Sequence, residues 1–287
     1  MYPQSLRALL KIDCPIKIVD VGANPIDGKP PYAPLMQGGN THVVGFEPNL
    51  EALAVLEQRK GAGETYLPFV IGDGVAHTLH ICFAQGMTSL LEPNPDVLDL
   101  FHGFEQWRRI VRTEPVQTKR LDDIPETAGF DLLKIDIQGG ELMAMRNAVE
   151  RLRDAVVVQT EVEFVQMYRG QPLFSDIDQF LRAQGFVLHR FTPLMSRTIK
   201  PMVANNDAYA GLSQTMWSDA IFVKDFAYPD RLTPGQLLRL AAIVHDCYRS
   251  YDLALHMLLA HDKREGTAYG PQFLAAIAAQ NGKMAAP

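Results

Sequence analysis

Short apolar runs alternate with longer amphipathic segments along the first 230 residues of the chain. The runs are rich in β-branched residues, as buried strands are, and they lie at residues 16–21, 42–46, 66–71, 130–137 and 155–163. Apolar residues at helical spacing separate several of them, at residues 48–60, 141–152 and 174–184. Strands that alternate with helices predict an α/β fold on a parallel sheet.

Two stretches depart from this regular alternation. Residues 186–191 and 220–226 have the pattern of strands joined by an irregular segment, which predicts an antiparallel hairpin at one edge of the sheet. Residues 25–41 contain four prolines and three glycines, so we expect no regular helix between the first two strands.

The end of the chain is mostly helical, beginning with Thr233 as a cap and Pro234 at the first helical position. A broad apolar surface on these helices is formed by Leu237, Leu238, Ala241, Ile243 and Val244. It is expected either to pack against the sheet or to form the seam of a homodimer. We therefore divide the chain into a domain of residues 1–230 and a C-terminal helical extension of residues 231–287, which frays from residue 274.

The composition is that of a soluble globular protein, with 47% apolar and 21% charged residues. A net charge of -6 argues against a general nucleic-acid-binding protein. The sequence contains neither a membrane-spanning apolar run nor the features of a signal peptide. Three widely spaced cysteines form no metal or disulfide pattern and suit a reducing compartment. We expect a cytoplasmic protein with no nucleic-acid or membrane partner.

Acidic residues end the first two predicted strands. Asp20 precedes a turn at Gly22, and Glu47 follows the second strand. The carboxyl ends of parallel strands meet at one edge of the sheet, where such sheets bind ligands. Asp20 can orient the loop or accept from a ligand ammonium group, and Glu47 can accept from ribose hydroxyls. Asn24 replaces the second glycine of the dinucleotide fingerprint, which disfavours a pyrophosphate ligand.

A second group of candidates follows later strands. Asp73 lies between two glycines after residues 66–71, where it can accept from an adenine amino group or simply form a turn. Lys134 and Asp136 form a charged pair in an apolar strand, which is costly unless the pair is satisfied or functional. Asp136 can bind substrate, hold a metal or act as a base, whereas Glu141 is best explained as a helix cap.

The strand at residues 155–163 contributes the next candidate for a general base or metal ligand, Glu161. Whether Glu161 or Glu163 faces the crevice is expected to depend on the strand register. A divalent metal between Asp136 and Glu161 is an open alternative that two carboxylates do not establish, and we assign no metal ligands. Tyr168 follows on a predicted loop over the site.

The order and spacing of these motifs resemble the FkbM family of S-adenosylmethionine-dependent methyltransferases. The resemblance covers residues 16–226 and is carried by residues 20–24, 45–48, 71–74, 88–93, 121–123, 132–141, 161–164, 168, 172–174 and 185–186. It implies a class I methyltransferase fold: a Rossmann-like seven-stranded sheet with an antiparallel last strand. Residues 1–230 would then form the methyltransferase domain.

The resemblance also implies S-adenosylmethionine as the cofactor and O-methyl transfer to a sugar or natural-product scaffold. The acceptor would be a hydroxyl group of a small molecule or glycan. The cofactor-binding residues by matched position are Asp20, Gly22, Ala23, Asn24, Glu47, Pro48, Gly72, Asp73 and Ser89. The catalytic residues would be Asp136, facing the transferred methyl group, and Glu161.

Two other functions fit the sequence. A nucleotide-sugar or NAD-dependent enzyme can be built on a Rossmann-like sheet, although the missing glycine counts against it. The second alternative is a non-catalytic, methyltransferase-like binding protein. In that case the first loop, altered by the proline-rich stretch, no longer binds the cofactor. Binding of S-adenosylhomocysteine would separate both from a methyltransferase.

Overall fold

The computed structural model describes residues 4–25 and 28–281, in which ten strands form two sheets. The strands are β1 (Ile16–Val21), β2 (Thr41–Phe46), β3 (Glu64–Leu67), β4 (Val70–Ile71), β5 (Ala76–Cys82), β6 (Ile110–Lys119), β7 (Leu132–Ile135), β8 (Val157–Glu163), β9 (Phe186–Arg197) and β10 (Gln214–Lys224).

The α-helices range from single turns to fifteen-residue segments. They are α1 (Leu6–Leu10), α2 (Ala33–Gln37), α3 (Leu50–Arg59), α4 (Pro95–Leu98), α5 (Phe104–Trp107), α6 (Glu141–Arg146), α7 (Val149–Leu152), α8 (Phe174–Ala183), α9 (Pro234–Tyr248), α10 (Tyr251–Glu265) and α11 (Tyr269–Asn281). Within residues 4–25 and 28–281, none of these helices has the length and apolar character needed to cross a membrane.

The main sheet has seven strands in the order β3-β2-β1-β7-β8-β10-β9. Along this order, the four pairs between β3, β2, β1, β7 and β8 are parallel. In contrast, β10 is antiparallel to both β8 and β9. The predicted Rossmann-like sheet with an antiparallel last strand is therefore confirmed, and so is the hairpin at its edge. This is the class I methyltransferase fold.

Three strands pair into a second sheet, in the order β4-β6-β5, and this pairing was not predicted. The predicted strand at residues 66–71 divides between the two sheets. Its first part belongs to β3, which ends at Leu67, and Val70 and Ile71 form β4 beside β6. The turn around Asp73 consequently follows a strand of the small sheet and not the third strand of the main sheet.

Helices cover both faces of the main sheet, because neighbouring residues of a buried strand point to opposite faces. Ile18 and Leu132 belong to a core formed with α1, α2 and the C-terminal helices α9–α11. Val19 and Leu133 belong to a second core formed with α6, α7 and α8. The carboxyl edge of the sheet lies between these two layers, where loops can reach it.

The C-terminal helices pack against the sheet, which was the first of the two alternatives. Leu237, Ala241 and Val244 are fully buried in the core that contains β1 and β10. A homodimer through these helices stays a prediction. The expected fraying from residue 274 is wrong as far as residue 281, because α11 is anchored in the same core by Phe273. Residues 282–287 lie outside the described residues.

The proline-rich stretch contains one short helix, contrary to the expectation of none. Pro34 lies in the first turn of α2, where the missing N–H has no partner to lose. The buried guanidinium of Arg7 fixes the end of this stretch by donating to the carbonyl of Leu35 at 2.9 Å and the hydroxyl of Thr41 at 2.8 Å. Residues 26 and 27 lie outside the described residues.

Candidate functional site

The loop after β1 lies directly against the end of β7. The backbone N–H of Asp136 donates to the carbonyl of Val21 at 3.0 Å. Gly22 has a φ of +80°, and a Cβ atom at this position would lie 2.0 Å from the carbonyl oxygen of Asp136. Only glycine combines this backbone conformation with so close an approach. The structure thus brings the predicted motif at Asp20 and Gly22 into contact with the one at Lys134 and Asp136.

Asp20 is 3% exposed and has its contacts inside the protein. The Tyr32 hydroxyl donates to its Oδ2 at 2.6 Å, and the Lys134 Nζ lies 3.4 Å from its Oδ1. Lys134 also donates to the carbonyl of Gly22 at 3.1 Å, which explains this half-buried lysine in β7. These contacts favour a role for Asp20 in orienting the first loop. Its contact with a methionine ammonium group stays a prediction.

Glu47 follows β2 at the edge where Asp20 lies near the end of β1, since Asp20 pairs with Gly45 in the parallel register. Its carboxylate is buried, and its Oε1 accepts from the backbone N–H of Asn49 at 2.7 Å. Burial raises the pKa of Glu47, and the nearby Asp20 adds to the shift. Asn49 in turn caps α3, so the strand end and the next helix hold Glu47 in place.

Asp73 belongs to a turn of the small sheet. Its Oδ1 accepts from the Val75 backbone at 3.2 Å and from the Thr118 hydroxyl at 3.2 Å, and lies 2.8 Å from Nε2 of His77. Although burial opposes it, these hydrogen bonds, led by that of His77, lower the pKa of Asp73. The contacts are those of a turn, and a contact with adenine stays a prediction, as it does for Gly72.

Carboxylates cluster at the ends of β7 and β8. Asp136, Glu141 and Glu161 each offer an oxygen, and these oxygens lie within 4.8 Å of one another. Glu141 accepts from the backbone N–H groups of Ile137 at 2.8 Å and Gly139 at 3.2 Å, as expected for a helix cap. Burial raises the pKa of Glu141 to about 7. The cluster is therefore tied to the loop that connects β7 with α6.

Glu161 and Glu163 both face this cluster. The expectation that strand register would select one of them is wrong, because residues two apart in a strand lie on the same face. Burial, followed by the charge of Asp136, raises the pKa of Glu161 well above its usual value. Burial and the charge of Glu141 do the same for Glu163. Both side chains are therefore driven toward the neutral form.

A family model described as the methyltransferase FkbM domain matches residues 20–188, more than half of the chain. The chain belongs to the FkbM methyltransferase family. The match spans the ends of β1, β2, β7 and β8, and therefore every residue of the cluster described above.

A curated relative, the 2-O-methyltransferase NoeI of Sinorhizobium fredii (strain NBRC 101917 / NGR234), is 34% identical over 103 residues, or 31% of this chain and 42% of the relative. A solved methyltransferase FkbM from Methylobacillus flagellatus KT aligns with a TM-score of 0.41 and 15% identity, over 73% of this chain and 43% of that one. The chain thus spans less than half the length of both proteins. Magnesium protoporphyrin IX methyltransferase (ChlM) from Synechocystis PCC 6803 aligns with a TM-score of 0.36 and 13% identity, over 76% of each chain.

One residue of this FkbM-family site, Gln138, was missed as a candidate from the sequence, and the buried contact of Tyr168 with it was not foreseen. Gln138 donates from its Nε2 to Asp136 and Glu161, and Tyr168 is fully buried and donates its hydroxyl to the Gln138 side-chain oxygen. Tyr168 was expected on a loop over the site. Ser89 is buried nearby and donates to the Gln138 carbonyl at 2.6 Å. The available signal was a glutamine two residues after Asp136 and directly before two glycines.

Proposed function

We propose that this chain transfers the methyl group of S-adenosylmethionine to a hydroxyl oxygen of a small-molecule or glycan acceptor. One observation carries the proposal: Asp20 lies one residue before the end of β1, and Glu47 and Asp136 directly follow the adjacent strands β2 and β7, at one edge of the sheet. Membership of the FkbM methyltransferase family supports methyl transfer. The name of the partial relative, a 2-O-methyltransferase, supports oxygen as the acceptor atom.

The residues at this edge fit the cofactor. Glu47 places a buried carboxylate where ribose hydroxyls can donate to it, and such donors would offset the cost of burying the acid. The first loop, from Gly22 to Asn24, would hold the methionine end, and Asp73 the adenine side. Ser89 would act through the loop that carries Gln138, because its hydroxyl already donates to that backbone.

The bound cofactor supplies an electrophilic methyl group on a sulfonium. The chain would hold the acceptor oxygen in line with that methyl group, which is the main source of the rate gain. Asp136 would accept the proton of the acceptor hydroxyl as its oxygen takes up the methyl group, and S-adenosylhomocysteine would be the leaving product. We assign the base to Asp136 because it directly follows β7 and its backbone N–H donates to Val21, next to the first loop that would hold the methionine end. Glu161 would then take part in the hydrogen bonds of the cluster, where its Oε2 accepts from Gln138.

Calorimetry with S-adenosylhomocysteine tests cofactor binding. We expect the wild-type chain to bind it, and Glu47→Ala to weaken binding by about 10- to 100-fold through lost ribose contacts. Glu51→Ala is the matched control, because Glu51 is an exposed acid in the next helix. Binding of NAD in place of S-adenosylhomocysteine would support the dinucleotide alternative. No binding of either compound would favour the non-catalytic alternative.

Transfer of tritium from labelled S-adenosylmethionine to a panel of sugars and phenols tests the reaction. Asp136→Asn should keep affinity for S-adenosylhomocysteine and lower turnover on any accepted compound by about 100-fold or more. Asp96→Asn, at an exposed acid on α4, is the control. Full activity in Asp136→Asn would remove Asp136 from its role as the base.

A further inference from the structure

Gln138 has an unusual backbone conformation in the loop between β7 and α6. Its φ is +60°, in the left-handed region that residues other than glycine rarely adopt. The Ser89 hydroxyl donates to its carbonyl at 2.6 Å and holds this conformation. A glutamine in this left-handed conformation costs about 1–2 kcal/mol relative to an ordinary backbone, so contacts elsewhere in the fold have to offset that cost.

The side chain of Gln138 bridges the two proposed catalytic acids. Its Nε2 lies 3.0 Å from Oδ1 of Asp136 and 2.8 Å from Oε2 of Glu161, and donates to both. Its Oε1 accepts from the buried Tyr168 hydroxyl at 3.0 Å. The hydroxyl thereby fixes which way the amide points, so that both N–H groups face the carboxylates.

The bridging nitrogen lies where a cation would have to be. A divalent ion held by Asp136 and Glu161 would need to lie within about 2.0–2.6 Å of each ligand oxygen. The amide nitrogen already occupies the space between these two oxygens. The third acid, Glu141, is bound through its Oε1 to two backbone N–H groups of the same loop.

We propose that Gln138 is a positioning residue whose amide takes the place of a cation between Asp136 and Glu161. The amide holds the two carboxylates together without adding charge, and it leaves the second oxygen of Asp136 for the acceptor hydroxyl. This inference rests on the proposed methyltransferase function, because it assigns the base to Asp136. It replaces the metal ion that the sequence left open at this position.

Calorimetric titration with MnCl2 tests the inference without an acceptor. The wild-type chain should show no Mn²⁺ binding at this cluster. Gln138→Glu removes the donor and adds a ligand, and it should bind one Mn²⁺ ion that wild type does not bind. The double variant with Asp136→Asn should lose that gain.

The matched control is Gln166→Glu, which makes the same charge change at an exposed glutamine whose amide donates to a backbone carbonyl. If circular dichroism shows that Gln138→Glu does not fold, Gln138→Ala replaces it, because alanine also removes the amide between Asp136 and Glu161. Micromolar Mn²⁺ binding by wild type that Asp136→Asn abolishes would overturn the inference. So would equal Mn²⁺ affinity in Gln138→Glu and Gln166→Glu. Failure of S-adenosylhomocysteine binding would instead count against the proposed function alone.

Discussion

Replacing Gly22 with alanine should disrupt the contact between the first loop and the end of β7. A non-glycine residue at a φ of +80° costs about 1–2 kcal/mol. The new methyl group would also start 2.0 Å from the carbonyl oxygen of Asp136, a backbone atom that cannot rotate away. Relieving that overlap costs about 1–3 kcal/mol more, as overpacking does elsewhere. We expect Gly22→Ala to lower the free energy of unfolding by about 2–5 kcal/mol.

Gly185 provides the matched control for this variant. Its φ is +79°, and a Cβ atom there would meet no atom within 4 Å. Gly185→Ala therefore incurs the backbone cost alone, about 1–2 kcal/mol. Urea unfolding followed by circular dichroism measures both variants. If Gly22→Ala is no less stable than Gly185→Ala, the close approach of the loop to Asp136 is not a real constraint.

Three further variants test buried polar contacts. Tyr32→Phe leaves the buried Asp20 carboxylate short of a donor and should cost about 1–3 kcal/mol in urea unfolding; an unchanged midpoint would contradict this. Arg7→Lys cannot keep the forked contacts of the guanidinium and should lower the thermal midpoint by several degrees, whereas an unchanged midpoint would show them dispensable. Burial raises the pKa of Asp131 from 3.8 to about 6 despite Arg239, so the folded state binds that proton more tightly. The stabilisation from protonated Asp131 is fully present below pH 3.8 and is lost as the pH rises through about 6. The free energy of unfolding of wild type minus that of Asp131→Asn should therefore fall by about 3 kcal/mol between these pH values. A rise in that difference would refute the sign.

The main sheet could be predicted because its strands carry continuous apolar runs that depend only on local sequence. The small sheet could not, because β6 is largely exposed and lacks such a run. The split of residues 66–71 between two sheets also depends on a partner strand some fifty residues away, since Val70 pairs with Thr118. Neither the hydrophobic periodicity nor the composition of residues 66–71 indicates that pairing.

The site was predictable where a residue ends a buried strand. Asp136 and Glu161 met that condition, and the structure brings them together. Gln138 did not, because a neutral side chain in a glycine-rich turn looks like a solvated loop residue. Its importance follows from a left-handed backbone and from Tyr168, thirty residues later, which no local pattern connects to it.

The burial of α9–α11 against the β1 face has a consequence for synthesis of the chain. Ile16 and Ile18, near the start, share a core with Phe273, near the end. The backbone N–H of Leu6 also donates to Asp246 in α9 at 2.9 Å. The core on this side of the sheet is therefore complete only after more than 250 further residues have left the ribosome. Contacts of such long sequence separation slow folding, so the nascent β1 strand would depend on protection from aggregation for most of translation.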